Sequence, residues 1–164
     1  MRGKAFAANF QSVGTLDNTA YLCIEAALIW RQRLTWNGKK GEEAISTYLH
    51  HLSVAGGKTA AAVLGTETLD NPQESLRCCA TVNVRLPLPQ DFRFEEPYSG
   101  GLGVPLMMRM MNEHNTVVEV FPYMRHWWVR LNAQVYLTAD EFEAASILLD
   151  RMCNEVLGED ARTA

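Results

Sequence analysis

The sequence has no long apolar run, no cluster of basic residues and no paired-cysteine motif. Each absence closes off a class of function. No stretch approaches the roughly 20 apolar residues that a helix needs to cross a bilayer, so no membrane partner is expected. The opening segment, Met1-Arg2-Gly3-Lys4-Ala5-Phe6-Ala7-Ala8-Asn9-Phe10, starts basic but carries no apolar core of signal-peptide length. Basic runs and basic–aromatic stripes are missing and the formal net charge is −4, which argues against a nucleic-acid partner. The four cysteines, Cys23, Cys78, Cys79 and Cys153, form no CxxC pair and no ligand cluster. That usage suits a reduced, cytoplasmic chain.

Metal and nucleophile chemistry also find little support. Of the histidines His50, His51, His114 and His126, none has a metal-ligand partner three or four residues on, and adjacent His50 and His51 diverge on a helix. No metal site is expected. There is no Gly-x-Ser-x-Gly element and no paired-carboxylate motif. Cys78 and Cys79 alternate sides of a predicted strand, one towards the core and the other half exposed.

What is present reads as one domain with a real core. Its 164 residues are 48% hydrophobic and 21% charged, ordinary for a globular fold, and no repeat or low-complexity tract divides them. The first helix is predicted from about Asp17 to Trp36. Asp17 or Asn18 can cap it, Leu22, Ala26 and Ile29 share one face, and Gly38 ends it. A second helix starts near Glu42. Ile45, Tyr48, Leu49, Leu52 and Ala55 form its apolar stripe, and Gly56-Gly57 should bend or interrupt it before Thr59–Leu64. Cys78 to Leu86 alternates apolar and mixed residues and reads as a strand covered on one side. Leu102 to Asn115 reads as a methionine-rich helix. Thr116–Tyr123 and His126–Tyr136 read as an antiparallel hairpin. Thr138-Ala139-Asp140-Glu141 is a capping box opening a last helix that Gly158 ends. The implied architecture is α+β: a small antiparallel sheet of about three strands with helices on one face.

Arg130 is the most informative residue. At strand period, Trp127, Val129, Leu131, Ala133 and Val135 fall on one apolar face. Trp128, Arg130, Asn132, Gln134 and Tyr136 fall on the other. A guanidinium among amides and aromatic rings suits bidentate carboxylate capture, although an arginine on a solvated sheet face has the same pattern. Gly14-Thr15, just before the first helix, offers a hydroxyl, backbone N–H groups and a helix dipole; that set suits phosphate and equally an ordinary helix cap. Ser99-Gly100-Gly101-Leu102-Gly103 is glycine-rich but lacks the strand–glycine–helix context of a nucleotide loop, and reads as a turn.

Four stretches in order resemble the C-terminal part of class V aminotransferase-type enzymes, which are fold-type-I pyridoxal-phosphate (PLP) proteins. They are Val13-Gly14-Thr15-Leu16-Asp17-Asn18 with Tyr21-Leu22 and Ala26-Ala27; Leu64-Gly65-Thr66-Glu67; Thr81-Val82-Asn83-Val84-Arg85-Leu86-Pro87-Leu88; and Trp128-Val129-Arg130-Leu131 through Gln134-Val135-Tyr136. The chain is most similar to the branch of isopenicillin N epimerases and fungal hercynylcysteine sulfoxide lyases. The resemblance implies that residues 17–164 form the small domain, with residues 1–16 a preceding segment. It implies that Arg130 grips the substrate α-carboxylate and that Gly14 and Thr15 reach the phosphate of PLP in a homodimer. The family often has Ser where this chain has Asn132, and Asn where it has Leu137. It also implies a preceding domain bearing the Schiff-base lysine, which no residue of this chain matches; Lys4, Lys39, Lys40 and Lys58 lie outside any such context. The expected function is therefore the small-domain portion of a PLP-dependent C–S lyase, epimerase or transaminase acting on an amino acid or amino-acid-derived sulfur compound. The chain alone is expected to be inactive and not to bind PLP covalently. The rival expectations are a non-catalytic module that dimerises or binds a full-length paralogue, and a truncated relic.

Overall fold

A computed structural model of the chain describes residues 19–94 and 101–163. The fold is α+β. The chain divides into two compact units, Met1–Ala44 and Ile45–Ala164.

In the first unit the predicted single helix is two. Helix α1 spans Thr19–Leu22 and α2 spans Ile24–Arg33, separated at Cys23. Strands β1 (Thr35–Trp36) and β2 (Lys39–Lys40) follow as a short antiparallel hairpin. Gly38 therefore does not end a helix. Asn37 and Gly38 both take positive φ, 49° and 77°, as a two-residue hairpin turn requires. Asn-Gly is a strong hairpin signal, and it overrides the helical reading of Leu34 to Trp36. Arg31 makes a bidentate pair with Glu42 at 2.6 Å on both arms. No residue of α1 or α2 is buried, so the predicted Leu22–Ala26–Ile29 face is not a core stripe.

The second unit holds the main sheet. Helix α3 runs Glu42–Leu64 without a break, and its Ile45, Leu52, Ala60 and Leu64 are buried. Gly56-Gly57 does not interrupt it. These glycines are there for space: a Cβ on Gly56 would stand 2.2 Å from the Phe142 ring, and one on Gly57 2.5 Å from Val82. Strand β3 is Thr81–Arg85, shorter than predicted because Cys78–Ala80 lie in a bend. Both Cys78 and Cys79 are exposed, which corrects the expectation that one is core. The buried Ser53 hydroxyl donates to the Cys79 carbonyl at 2.8 Å and fixes that bend to α3.

Helix α4 (Gly103–His114) buries Leu106 and Met110 and ends at Asn115 in the left-handed region. Strands β4 (Glu119–Tyr123) and β5 (His126–Asn132) form the expected hairpin, joined through Met124 and Arg125. The chain leaves the sheet after Asn132, so Gln134 and Tyr136 lie beyond the strand. The strand order is β3-β5-β4, all antiparallel, with β5 central. Residues 66–69 run along the outer side of β3: the Arg85 N–H donates to the Glu67 carbonyl, and the Leu69 N–H to that of Asn83. The opposite edge, β4, contains Pro122.

Helix α5 spans Ala139–Thr163 and runs through Gly158 rather than ending there. Nothing lies within 4 Å of a Cβ built on Gly158, so that glycine answers to no contact among the described residues. Half of the capping box forms: the Glu141 carboxylate accepts from the Thr138 N–H at 2.7 Å, while the Thr138 hydroxyl also donates to that carboxylate at 3.2 Å rather than accepting a backbone N–H.

One core joins these elements. Val82, Val84, Val120, Trp127, Val129 and Leu131 on one sheet face meet Leu52, Ala60, Leu106, Met110, Phe142, Leu149 and Met152 from the helices. A sheet packed on one face only leaves its other face as the available surface.

Candidate carboxylate-binding site

Strand alternation fixes what the open face carries. The register sets Asn83 of β3 and Glu119 of β4 on either side of Arg130. The next row along is Arg85, Trp128 and Phe121. Thr81 and Asn132 stand opposite each other at the far end, where their side chains meet at 3.1 Å.

The Arg130 guanidinium is held from three directions. Its Nε donates to Asn83 Oδ1 at 3.3 Å, and its Nη1 donates to Glu119 Oε2 at 2.9 Å. The Phe121 ring lies beneath it, 5.1 Å from the guanidinium carbon to the ring centroid. The Arg130 side chain is 38% exposed and that of Glu119 51%. Nη2 makes no hydrogen bond among the described residues. A planar fork with two arms fixed and one end open is oriented to receive an acceptor at that end.

Trp128 belongs to the same face yet is buried. Its indole N–H donates to the Tyr123 carbonyl at 3.0 Å, and its ring meets that of Tyr123 edge-on at 6.5 Å. It walls one side of the Arg130 row. Beyond it Arg85 pairs bidentately with Glu67 at 2.7 and 2.9 Å. Those hydrogen bonds hold the Glu67 carboxyl below the usual carboxylate range and raise Arg85. Arg85 is thus neutralised locally, whereas the Arg130 fork keeps an open end.

Arg130 also borders a groove of about 740 Å³ between the end of β5 and the start of α5. Polar groups from Thr116, Asn132, Gln134 and Glu141 line it, with Phe142 and Leu148 as apolar wall. This combination of apolar surface with a few polar groups and one cation is the usual lining of a small-molecule site. Thr116, Phe142 and Leu148 were not singled out as site residues in the sequence; they come together only through the packing of α5.

Of the residues the sequence nominates, Arg130 takes this position, and Gly14 and Thr15 lie outside the described residues. Of the described thiols, Cys153 is buried, and burial, followed by the charge of Asp150, pushes it up to about 12. It cannot serve as a nucleophile at neutral pH. No group of three metal-ligating side chains occurs among the described residues. No helix among them is long and apolar enough to cross a membrane.

The donor chemistry fits a carboxylate. Among the described residues no lysine lines the groove, so none of them is placed to attach PLP covalently there. Lys58 is on the exposed side of α3, and Lys39 and Lys40 form β2 of the first unit.

No protein-family model matches the chain. It is 32% identical, over 174 aligned positions, to the L-cysteine desulfhydrase-like protein lolT1 of Epichloe uncinata. It is 31% identical over the same length to lolT2 of that organism, likewise described as L-cysteine desulfhydrase-like. Each alignment takes in 95% of this chain, and the chain spans 37% of the length of either relative.

Proposed function

We propose that this chain is the substrate-carboxylate portion of a PLP-dependent enzyme of the class V aminotransferase type. It acts on an amino acid or amino-acid-derived sulfur compound, by C–S lyase, epimerase or transaminase chemistry. The observation that carries this is Arg130: a guanidinium at the centre of an open sheet face, fixed by Asn83, Glu119 and Phe121, with one end available beside a groove. The similarity to two L-cysteine desulfhydrase-like proteins supports the family and the class of substrate. In this reading Arg130 binds and orients the substrate α-carboxylate. Orientation matters because it sets which bond of the substrate stands ready to break. Gly14 and Thr15 contact the cofactor phosphate across a homodimer. The cofactor, when bound, supplies the electron sink, and its covalent anchor comes from outside the described residues.

The test is an NMR titration of the chain with L-cysteine under reducing conditions. Arg130→Gln removes the charge-assisted pair and is expected to weaken binding about tenfold or more. An unchanged dissociation constant would remove Arg130 from the site.

A second reading, a non-catalytic module that associates with itself or a full-length paralogue, is favoured by one observation. Tyr21, Leu22, Leu28 and Trp30 of α1 and α2 are all more than half exposed, Leu22 at 81%. So many large apolar side chains exposed on two short helices favour association. The expected result is a concentration-dependent sedimentation coefficient that Leu22→Glu with Trp30→Glu abolishes. A monomer at every concentration counts against this reading.

A further inference from the structure

We infer that Glu119 is a specificity-determining residue that makes the Arg130 site select carboxylates whose remaining groups are neutral or cationic, and reject ligands with a second negative charge. This rests on the carboxylate reading of Arg130 above and deepens it.

The argument begins with the fork. Arg130 offers Nε, Nη1 and Nη2; Asn83 occupies the first and Glu119 the second. An incoming carboxylate meets the Nη2 end, sharing Nη1 at most. It therefore binds beside Glu119, and two carboxylates then share one cation. The Asn83 amide carries no charge and Phe121 presents only a ring face, so neither adds positive potential. The other arginine on this face, Arg85, is held by Glu67 at 2.7 and 2.9 Å and gives little to a further anion. In the groove, Glu141 is committed to the Thr138 cap and adds another negative charge. His114 lies in the groove lining as well, but on the sheet face around the Arg130 fork there is room for one anionic group and the balance is unfavourable to two. A half-exposed Glu119 weakens that repulsion by solvent screening without removing it.

Arg130 alone would favour the more negative ligand of any pair. Glu119 reverses that preference. Its hydrogen bond also holds the guanidinium in place before a ligand arrives, so selection and orientation come from the same contact.

The measurement is the ratio of affinities for L-asparagine and L-aspartate, which match in size and differ by one charge at neutral pH. NMR titration of the intact chain reads both. The chain is expected to bind asparagine about fivefold more tightly than aspartate, the size of a screened repulsion between two charges a few ångströms apart. Glu119→Gln keeps an oxygen acceptor for Nη1 and removes the charge; the ratio should fall to about one or invert. Glu119→Ser, which also removes the charge, should move the ratio the same way. Loss of all binding in Arg130→Gln keeps the carboxylate reading intact. If Arg130 is required and the ratio is the same in both Glu119 variants, this inference fails while the carboxylate reading stands. If Arg130→Gln binds both amino acids as before, or if the unaltered chain binds neither, the carboxylate reading fails and this inference with it.

Discussion

Trp127→Ala is expected to lower the unfolding free energy by about 3–5 kcal/mol, the range for emptying an aromatic site in a closed core. A domain of this size has only about 5–15 kcal/mol in total, so the variant should melt roughly 6–20 °C early or fail to fold. Trp127 is 1% exposed and sits on the central strand. It belongs to the same buried cluster as Leu106, Met110 and the strand valines, and Phe94 meets its ring edge-on at 5.9 Å. Its indole N–H is also spoken for, donating to the Phe92 carbonyl at 2.7 Å. Alanine therefore leaves both a cavity and an unpaired carbonyl. Trp127→Phe separates the two effects: most of the ring volume stays and the donor goes, which should destabilise by about 1–3 kcal/mol. Thermal and urea unfolding followed by circular dichroism give both values. A loss below about 1 kcal/mol in Trp127→Ala would mean that this wall of the core is not filled as described.

Gly56→Val should destabilise by about 3 kcal/mol even though valine has the better helix propensity. The first added carbon would stand 2.2 Å from Phe142 Cδ1 and 2.5 Å from its Cγ, so the ring must move. Phe142 is 4% exposed and backed by the core, which leaves it nowhere to go without opening α5 from α3. A double-mutant cycle with Phe142→Leu should show coupling, since the smaller side chain relieves the overlap. Gly158→Ala is the matched control. A Cβ there meets nothing within 4 Å, so only the backbone effect remains and stability should rise by about 0.5–1 kcal/mol. Were both glycine variants stabilising, the close approach of α3 to α5 would be wrong.

These two glycine positions show where sequence reading succeeds and stops. Local periodicity carried the β4–β5 hairpin, the apolar row Trp127–Val129–Leu131–Ala133 and the Thr138–Glu141 cap, because each is decided by residues close in the chain. Gly56-Gly57 looked like a helix breaker since propensity is local, while the reason for it is a phenylalanine 86 positions away on another helix. Gly38 runs the other way: Asn37-Gly38 is a local hairpin signal set inside a pattern that otherwise reads as one longer helix. In the site, the place of Arg130 on the open sheet face is legible from alternation, while its carboxylate role is what the family resemblance implies. Glu119 was within reach too, since a turn at Met124-Arg125 sets Tyr123 against His126 and so Glu119 against Arg130. Asn83 was not, because β3 pairs with β5 across 47 residues and only the folded register brings them together.

The two sides of the sheet end differently, and this bears on how the chain behaves at high concentration. An edge strand with open peptide groups is a template on which a second molecule can add a strand. Along β3 the Asn83 carbonyl and the Arg85 N–H are engaged by residues 66–69. Along β4 the strand is five residues long, begins with the charged Glu119 and includes Pro122, which has no N–H to offer. Neither margin of this three-stranded sheet gives a neighbouring chain an unbroken ladder to extend, so the sheet is guarded against edge-to-edge polymerisation while the face bearing Arg130 stays open.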